Sequence, residues 1–152
     1  MKNITNNLNQ EKDPLEIFNQ WFLLAKKKEI NDPNAMSLAT VGKDLKPSIR
    51  MVLMKSFDKN GFVFNTNINS KKGKTISNNS FVSLNFHWKS LLKQVHIEGC
   101  AEKISEEEAD QLFSVRPKNS KIGAWASDQS NILSDRRKLK LKIKKYKEKY
   151  KG

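Results

Sequence analysis

The segment that decides the fold runs from residue 35 to residue 67 and reads AMSLATVGKDLKPSIRMVLMKSFDKNGFVFNTN. It contains three short runs that are prone to form β-strands, namely Ala35–Val41, Ile49–Lys55 and Phe62–Asn67. Turn residues separate the runs, and the second turn ends in Asn60-Gly61, a strong hairpin signal. The segment therefore predicts three strands that are joined by short turns.

Two longer runs, Phe81–Trp88 and Lys93–Ile104, predict a second pair of strands joined at residues 89–92. The five predicted strands follow hairpin spacing, and helices do not alternate with them as they do in a parallel sheet. This order favours an antiparallel barrel or sandwich. The predicted fold class is mainly β with flanking helices (α+β).

Capping signals predict helices around these strands. Asp13-Pro14 is a helix start, and an apolar face follows at Phe18, Trp21, Phe22 and Ala25. Further helices are predicted at Ser70–Ser77, from the capping box Ser105–Glu108 to about Val115, and after Ser134 or Asp135. The last of these carries a narrow apolar stripe at Leu139, Ile143, Tyr146 and Tyr150.

Length and charge limit the classes of function. The 152 residues fit one domain, and the net charge is +13. Residues 136–151 carry +9 of that charge, so the rest of the chain does not have the composition of a nucleic-acid-binding domain. No apolar run is long enough for a membrane span, and the N-terminus lacks a signal peptide. We therefore expect a cytoplasmic protein with no membrane or nucleic-acid partner.

The residue types that usually perform catalysis are sparse. The sequence has no glycine-rich phosphate loop, no zinc-protease motif and no nucleophile elbow. His87 and His96 fall in predicted strands and are interpreted as packing or surface residues, and Cys100 as a small buried core residue. We therefore predict no metal site and identify no catalytic side chain.

After the catalytic motifs are excluded, the sequence still contains several groups that could bind an anion. Arg50 and Lys55 bracket the apolar strand RMVLMK, and Thr66, Ser70, Lys71 and Lys72 precede or open a predicted helix. Arg116 and Ser120 lie four residues apart after another helix. Each group alone is more typical of solvated surface than of a binding site. Together they suit a ligand with two phosphates, or two phosphorylated ligands.

At these residues the sequence resembles the pyridoxamine (pyridoxine) 5′-phosphate oxidase family, over roughly residues 14–150. The resemblance rests on segments that occur in the same order with compatible spacing. They are Met36–Val41, Arg50–Lys55, Gly61–Asn67, Ser70–Gly73, Gln94–Gly99, Arg116-Pro117, Ser120–Trp125 and Gln129-Ser130. The stretch from Arg116 to Ser130 is the most specific of them.

The resemblance implies an FMN-binding split barrel and a homodimer with flavin at the subunit interface. The implied FMN ligands are Arg50, the backbone of Met51, Val52 and Leu53, Lys55, Thr66, Lys71, Lys72, Gln94, Gln129 and Ser130. Lys55, Arg116 and Ser120 would bind the phosphate of pyridoxamine or pyridoxine 5′-phosphate. The implied reaction transfers a hydride from C4′ of the substrate to flavin N5, and molecular oxygen then reoxidises the flavin and gives hydrogen peroxide. The product is pyridoxal 5′-phosphate.

The sequence departs from the family pattern at four points. Asn65 and Leu112 replace tyrosines, and Lys71 replaces an arginine and so loses the guanidinium fork. The sequence ends at Gly152, before the family's C-terminal segment, which carries further flavin, substrate and dimer contacts. From this we expect the 152-residue chain to bind FMN and B6 phosphates but to oxidise them slowly or not at all.

The sequence thus predicts three regions: a disordered arm at 1–12, an FMN-binding split-barrel domain at 13–133, and a basic C-terminal helix at 134–152. Two alternatives to the oxidase stay open. One is a non-catalytic protein that binds FMN or B6 phosphates, and the other is a basic protein that acts through its tail.

Overall fold

The computed structural model describes residues 13–127, 129–130, 132–133 and 135–151. The helices are α1 (Pro14–Lys28), α2 (Lys71–Asn78), α3 (Glu106–Ser114), α4 (Lys118–Ala126) and α5 (Arg136–Lys149). The strands are β1 (Ala35–Val41), β2 (Pro47–Asp58), β3 (Gly61–Phe64), β4 (Phe81–Trp88) and β5 (Lys93–Cys100). The arm predicted at 1–12 and the alternative cap Ser134 lie outside the described residues.

The five strands form one antiparallel sheet in the order β3-β2-β1-β4-β5, which confirms the predicted fold class. Strands β1 and β4 have the predicted bounds. Strand β2 is longer than predicted, whereas β3 and β5 end earlier. Helix α4 was not predicted, because its N-cap is Pro117, which offers no side-chain hydrogen bond. The prediction of a buried Cys100 was wrong, since this residue ends β5 and is exposed.

The chain divides into two compact units. The first comprises the chain up to Ala39 together with Ile49–Asn65 and Ser83–Glu98, and the second comprises Thr40–Ser48, Thr66–Val82 and the chain from Gly99 onward. Within the described residues, no helix is both long and apolar enough to cross a membrane.

The core of the first unit is an aromatic cluster around Phe18. Helix α1 begins where the Asp13 carboxylate accepts the Leu15 N–H at 2.9 Å, and this start directs Phe18 to the sheet. The Phe18 ring packs on five other rings with centroids 4.7 to 5.9 Å away: Phe22, Phe57, Phe62, Phe86 and Trp88. The cluster therefore joins α1 to three strands of the unit.

Strand β2 contains an irregularity that the sequence reading missed. Met54 pairs with Phe64 of β3, but Ser56 pairs with Val63, so two residues of β2 advance the register by one residue of β3. Lys55 is the additional residue of this bulge. Side chains point inward at even positions before the bulge, as at Met54, and at Phe57 after it.

In the second unit, a close backbone approach holds α2 against the loop that precedes it. The Ser70 side chain is fully buried, and its hydroxyl accepts the Gly73 N–H and donates to the Asn67 carbonyl at 2.6 Å. A Cβ atom on Gly73 would lie 2.4 Å from the Ile68 carbonyl oxygen. Only glycine fits there without moving the helix.

The C-terminal helix α5 packs on α4 through aromatic side chains of the second unit. Asp135 caps α5 by accepting the Arg137 N–H at 2.8 Å. The Trp125 ring of α4 lies 4.5 Å from Tyr150 and 6.2 Å from Tyr146, centroid to centroid. The apolar stripe of the basic helix thus has a packing partner, and its lysines occupy the exposed side.

We predict that Phe18→Ala lowers the free energy of unfolding by about 3–5 kcal/mol, because truncation leaves a cavity among five rings. Leu24→Ala on the same helix is the matched control, since Leu24 is an exposed side chain. Urea denaturation of both variants gives the comparison. An equal decrease in the free energy of unfolding in the two variants would show that the cluster does not form the core.

We also predict that Gly73→Ala lowers the free energy of unfolding by about 1–3 kcal/mol, because the new methyl group would overlap backbone atoms. Gly123→Ala is the control: it is also helical, and its Cβ would have no neighbour within 4 Å. Replacing a helical glycine in open space is expected to raise stability by up to about 1 kcal/mol. Thermal or urea unfolding measures the change in the free energy of unfolding for each variant. Changes of opposite sign support the close approach at Gly73, and changes of the same sign contradict it.

Candidate functional site

Arg50 is a half-buried cation on the inward side of β2 in the first unit. Its Nη1 donates to the Leu38 carbonyl at 3.1 Å, which fixes the side chain along β1. Partial burial removes water from the guanidinium, and this desolvation lowers the pKa of Arg50 from its ordinary value. An arginine remains charged at neutral pH, so Arg50 places a positive charge on this side of β2.

Lys55, the additional residue of the bulge, lines a cleft of about 390 Å³ in the first unit. The cleft lies between the end of α1 and β2, with Lys26 and Phe22 among its walls. Asn34 supports it by exchanging two hydrogen bonds with Met54, at 2.8 and 2.9 Å. Bulges commonly re-aim a side chain beside a functional site. The geometry therefore presents Lys55 to solvent at a fixed point of the strand.

The outer side of β2 is apolar and uncovered within the first unit. Met51 is 62% exposed, and Leu53 is also exposed, whereas the side chain of Val52 is buried. A ligand could thus reach Val52 only through its backbone. Gln94, the predicted flavin contact on β5, is exposed as well.

In the second unit, the predicted residues gather at the start of α2. Thr66 is exposed and its hydroxyl lies 3.5 Å from the Ser70 hydroxyl, while Lys71 is the exposed first residue of the helix. Ser70 itself is not a ligand candidate, because its side chain is fully buried and its hydroxyl is bonded to the Asn67 carbonyl and the Gly73 N–H. The backbone N–H groups at this helix start and the two lysines favour an anion.

A long-range contact joins two of the predicted flavin residues within the second unit. The Lys72 ammonium donates to the Gln129 side-chain oxygen at 2.8 Å, although the two residues are 57 positions apart. The next residue, Ser130, has a φ of +70°, which is uncommon for a residue other than glycine. The turn at 129–130 is thereby held in a specific conformation beside α2.

The substrate-phosphate candidates Arg116 and Ser120 flank the start of α4. The Arg116 guanidinium lies 5.5 Å from the centre of the Phe113 ring, and the Ser120 N–H donates to the Pro117 carbonyl at 2.9 Å. The Ser120 side chain is exposed. The first turn of α4 holds no acidic residue and its N-cap offers no side-chain bond, so an anion meets no competing carboxylate there.

The two positions at which the family pattern has a tyrosine lie beside these groups in sequence. Asn65 is half-buried directly before Thr66, and Leu112 is half-buried one residue before Phe113. Neither asparagine nor leucine has the aromatic ring and the phenolic hydroxyl that a tyrosine would provide at these positions. In the described part of the chain, no cluster of three or more His, Cys, Asp or Glu side chains could hold a metal ion.

The structure thus brings together Lys72 with Gln129, and it places Arg116 and Ser120 around one helix start. Arg50, Lys55 and Gln94 belong to the first unit, and their positions are described only within it. The roles of all these residues stay predictions. Sequence reasoning missed Phe113, although its i, i+3 spacing to Arg116 is a signal for contact at a helix end.

Comparison with known proteins identifies the family. Residues 25–150 match the family described as pyridoxamine 5′-phosphate oxidase. The chain is 52% identical over 138 residues to the pyridoxine/pyridoxamine 5′-phosphate oxidase of Pelagibacter ubique, and 47% identical over 150 residues to that of Brucella canis. These alignments cover 91% and 99% of this chain, and 66% and 74% of the two relatives.

Two solved structures are also similar. PhzG from Burkholderia lata, crystallised with tetrahydrophenazine-1-carboxylic acid, superposes with a TM-score of 0.86 at 28% identity over 91% of this chain and 68% of its own. A pyridoxamine 5′-phosphate oxidase-related, FMN-binding protein from Nostoc punctiforme has a TM-score of 0.67 at 13% identity and shares the fold. That alignment covers 85% of this chain and 72% of the other. Given the match over residues 25–150 and relatives near half identity, this chain belongs to the pyridoxamine 5′-phosphate oxidase family.

Proposed function

We propose that this chain binds FMN and acts in the oxidation of pyridoxamine or pyridoxine 5′-phosphate to pyridoxal 5′-phosphate, with molecular oxygen as the final acceptor. The observation that carries the proposal is the 2.8 Å contact between Lys72 and Gln129. Two residues that the family resemblance assigns to the flavin, and that are distant in sequence, meet in the fold. The relatives named pyridoxine/pyridoxamine 5′-phosphate oxidase support the substrate class.

The residues present fit the chemistry of FMN. A flavin mononucleotide carries a phosphate dianion and a flat ring system with amide-like edges. Lys71 and Lys72 offer ammonium donors at a helix start, and Gln129 offers an amide. In the first unit, the Met51 and Leu53 side chains are exposed to water. A flat ring that covered them would bury this apolar surface, and that burial would favour binding.

Each residue would hold a particular part of the cofactor. We propose that Arg50, Lys71 and Lys72, with the Thr66 hydroxyl, bind the FMN phosphate region through charge-assisted hydrogen bonds. The backbone of Met51–Leu53 and the side chains of Lys55, Gln94, Gln129 and Ser130 would contact the remainder. When bound, FMN supplies the ring that accepts a hydride from C4′ of the substrate and is reoxidised by oxygen, with release of hydrogen peroxide.

The side chains of this chain would then orient the substrate. We propose that Lys55, Arg116 and Ser120 bind its phosphate, with the guanidinium giving planar donors and the exposed hydroxyl one more. Fixing the phosphate restricts where C4′ can lie, and orientation accounts for much of the rate in such reactions. We further propose a homodimer with the cofactor at the subunit interface, and a cytoplasmic location.

A second candidate function is binding of FMN or B6 phosphates without catalysis. Leu112 favours it, because its side chain lacks the hydroxyl that the family offers to the substrate phosphate. The two functions require the same cofactor residues and differ only in turnover. A measurement of turnover therefore separates them.

We predict that the purified chain is yellow with flavin absorbance, and that it releases hydrogen peroxide when pyridoxine 5′-phosphate and oxygen are added. An Arg116→Ala variant is expected to keep the flavin and lose affinity for the substrate. Bound flavin without peroxide would favour the binding function. A colourless protein that also fails to take up added FMN would contradict both functions.

We predict that Lys72→Ala weakens FMN binding by about 10- to 100-fold, the loss of one charge-assisted contact of roughly 1.5–3 kcal/mol. Lys74→Ala is the control, since Lys74 is an exposed lysine on the same helix and outside the proposed site. Fluorescence titration of the apoprotein with FMN measures both affinities. Equal affinities for the two variants would remove Lys72 from the site.

A further inference from the structure

The second unit holds another cation beside Arg116 to which the family resemblance assigns no role. Lys121 follows Ser120 on α4, and its ammonium lies 6.0 Å from the centre of the same Phe113 ring that Arg116 contacts at 5.5 Å. Two cations therefore share one aromatic ring. Among the described residues, no carboxylate forms an ion pair with either of them.

The position of Lys121 relates it to the altered residue Leu112. The Lys121 side chain extends back toward α3 and donates to the Ser114 carbonyl at 2.7 Å. Its ammonium thus lies at the end of α3, two residues along the chain from Leu112, the position at which the family resemblance predicts a tyrosine that contacts the substrate phosphate. A charged donor is present in the part of the fold from which a neutral donor has been lost.

A phosphate dianion is bound more strongly by two cations than by one, and like charges near one ring repel each other unless an anion lies between them. The ring attracts both cations without neutralising either. The exposed Ser120 hydroxyl lies between Arg116 and Lys121 in sequence, on the same helix start. These groups form a donor set suited to a phosphate monoester.

We propose that Lys121 is a further ligand of the substrate phosphate, which acts with Arg116 and Ser120 and replaces the hydroxyl absent at Leu112. The proposal rests on the proposed function, since it concerns the phosphate of the same substrate. It predicts that Lys121 determines preference for the phosphorylated form of the vitamin. Bond making and breaking at C4′ are not affected directly.

Capping of α3 is the competing explanation of the Lys121 contact, because a cation near a helix C-terminus stabilises the last carbonyls. The two explanations differ in what a substitution changes. A capping lysine affects unfolding and leaves ligand affinity constant. A phosphate ligand changes affinity for the phosphate ester and leaves affinity for the dephosphorylated vitamin constant.

The test is equilibrium dialysis of pyridoxine 5′-phosphate and of pyridoxine with FMN-loaded protein, comparing Lys121→Gln, Lys121→Arg and the control Lys144→Gln. We expect Lys121→Gln to weaken binding of the phosphate ester about tenfold and to leave pyridoxine unchanged. Lys121→Arg should recover most of the affinity. Lys144→Gln, an exposed change on α5, should match the wild type for both compounds.

Inorganic phosphate as competitor gives a second measurement that does not depend on turnover. It should displace the ester from the wild type at lower concentration than from Lys121→Gln. An unchanged ester affinity in Lys121→Gln, with Arg116→Ala still weakened, would overturn the role of Lys121 alone. If the wild type binds neither the ester nor phosphate, the proposed function and this inference are both wrong.

Discussion

The aromatic cluster around Phe18 constrains how strand β2 presents its side chains. Val52 and Met54 point into the core at even positions, while the Phe57 ring must also face inward to pack 4.7 Å from Phe18. Strict alternation would turn Phe57 to the outside. The bulge at Lys55 resolves the conflict, because one additional residue reverses the alternation. The bulge that core packing requires thus lies at the lysine that the family resemblance assigns to cofactor and substrate.

This constraint also explains which parts of the fold the sequence could predict. Strands β1 and β4 alternate regularly, and their bounds were predicted correctly. The apolar spacing in β2 changes from two to three after Met54, so the predicted strand ended at Lys55 although the real one continues to Asp58. Helix α4 escaped prediction because Pro117 gives no capping signal. The local pattern of apolar residues predicts regular strands and helices well. It fails where tertiary packing interrupts the regular spacing of those residues.

The candidate site follows the same division. The sequence indicates candidate residues through the family pattern, which its arginine, lysine and glutamine positions match except at Lys71, and their roles stay predictions. Their contacts could not, because spacing along the chain does not indicate that Lys72 meets Gln129 across 57 residues. The Trp125 contacts with Tyr146 and Tyr150 are equally non-local, and they hold the basic helix α5 on the helix that carries Ser120. The positive charge of residues 136–151 therefore lies on a helix that also packs against α4.

The cations of the candidate site share one physical property. Each of them contacts a neutral group: Arg50 contacts the Leu38 carbonyl, Lys72 the Gln129 amide, and Arg116 the Phe113 ring. Elsewhere, as between Arg137 and Asp135, a carboxylate orients the cation and cancels its charge. A neutral partner restricts the side chain and so reduces the entropy lost on binding. For Arg116, which forms no ion pair with a described carboxylate, the positive charge is also left for a ligand. A cation held as Arg116 is held is prepared for an anion, which is the electrostatic requirement that a phosphorylated substrate imposes on a binding site.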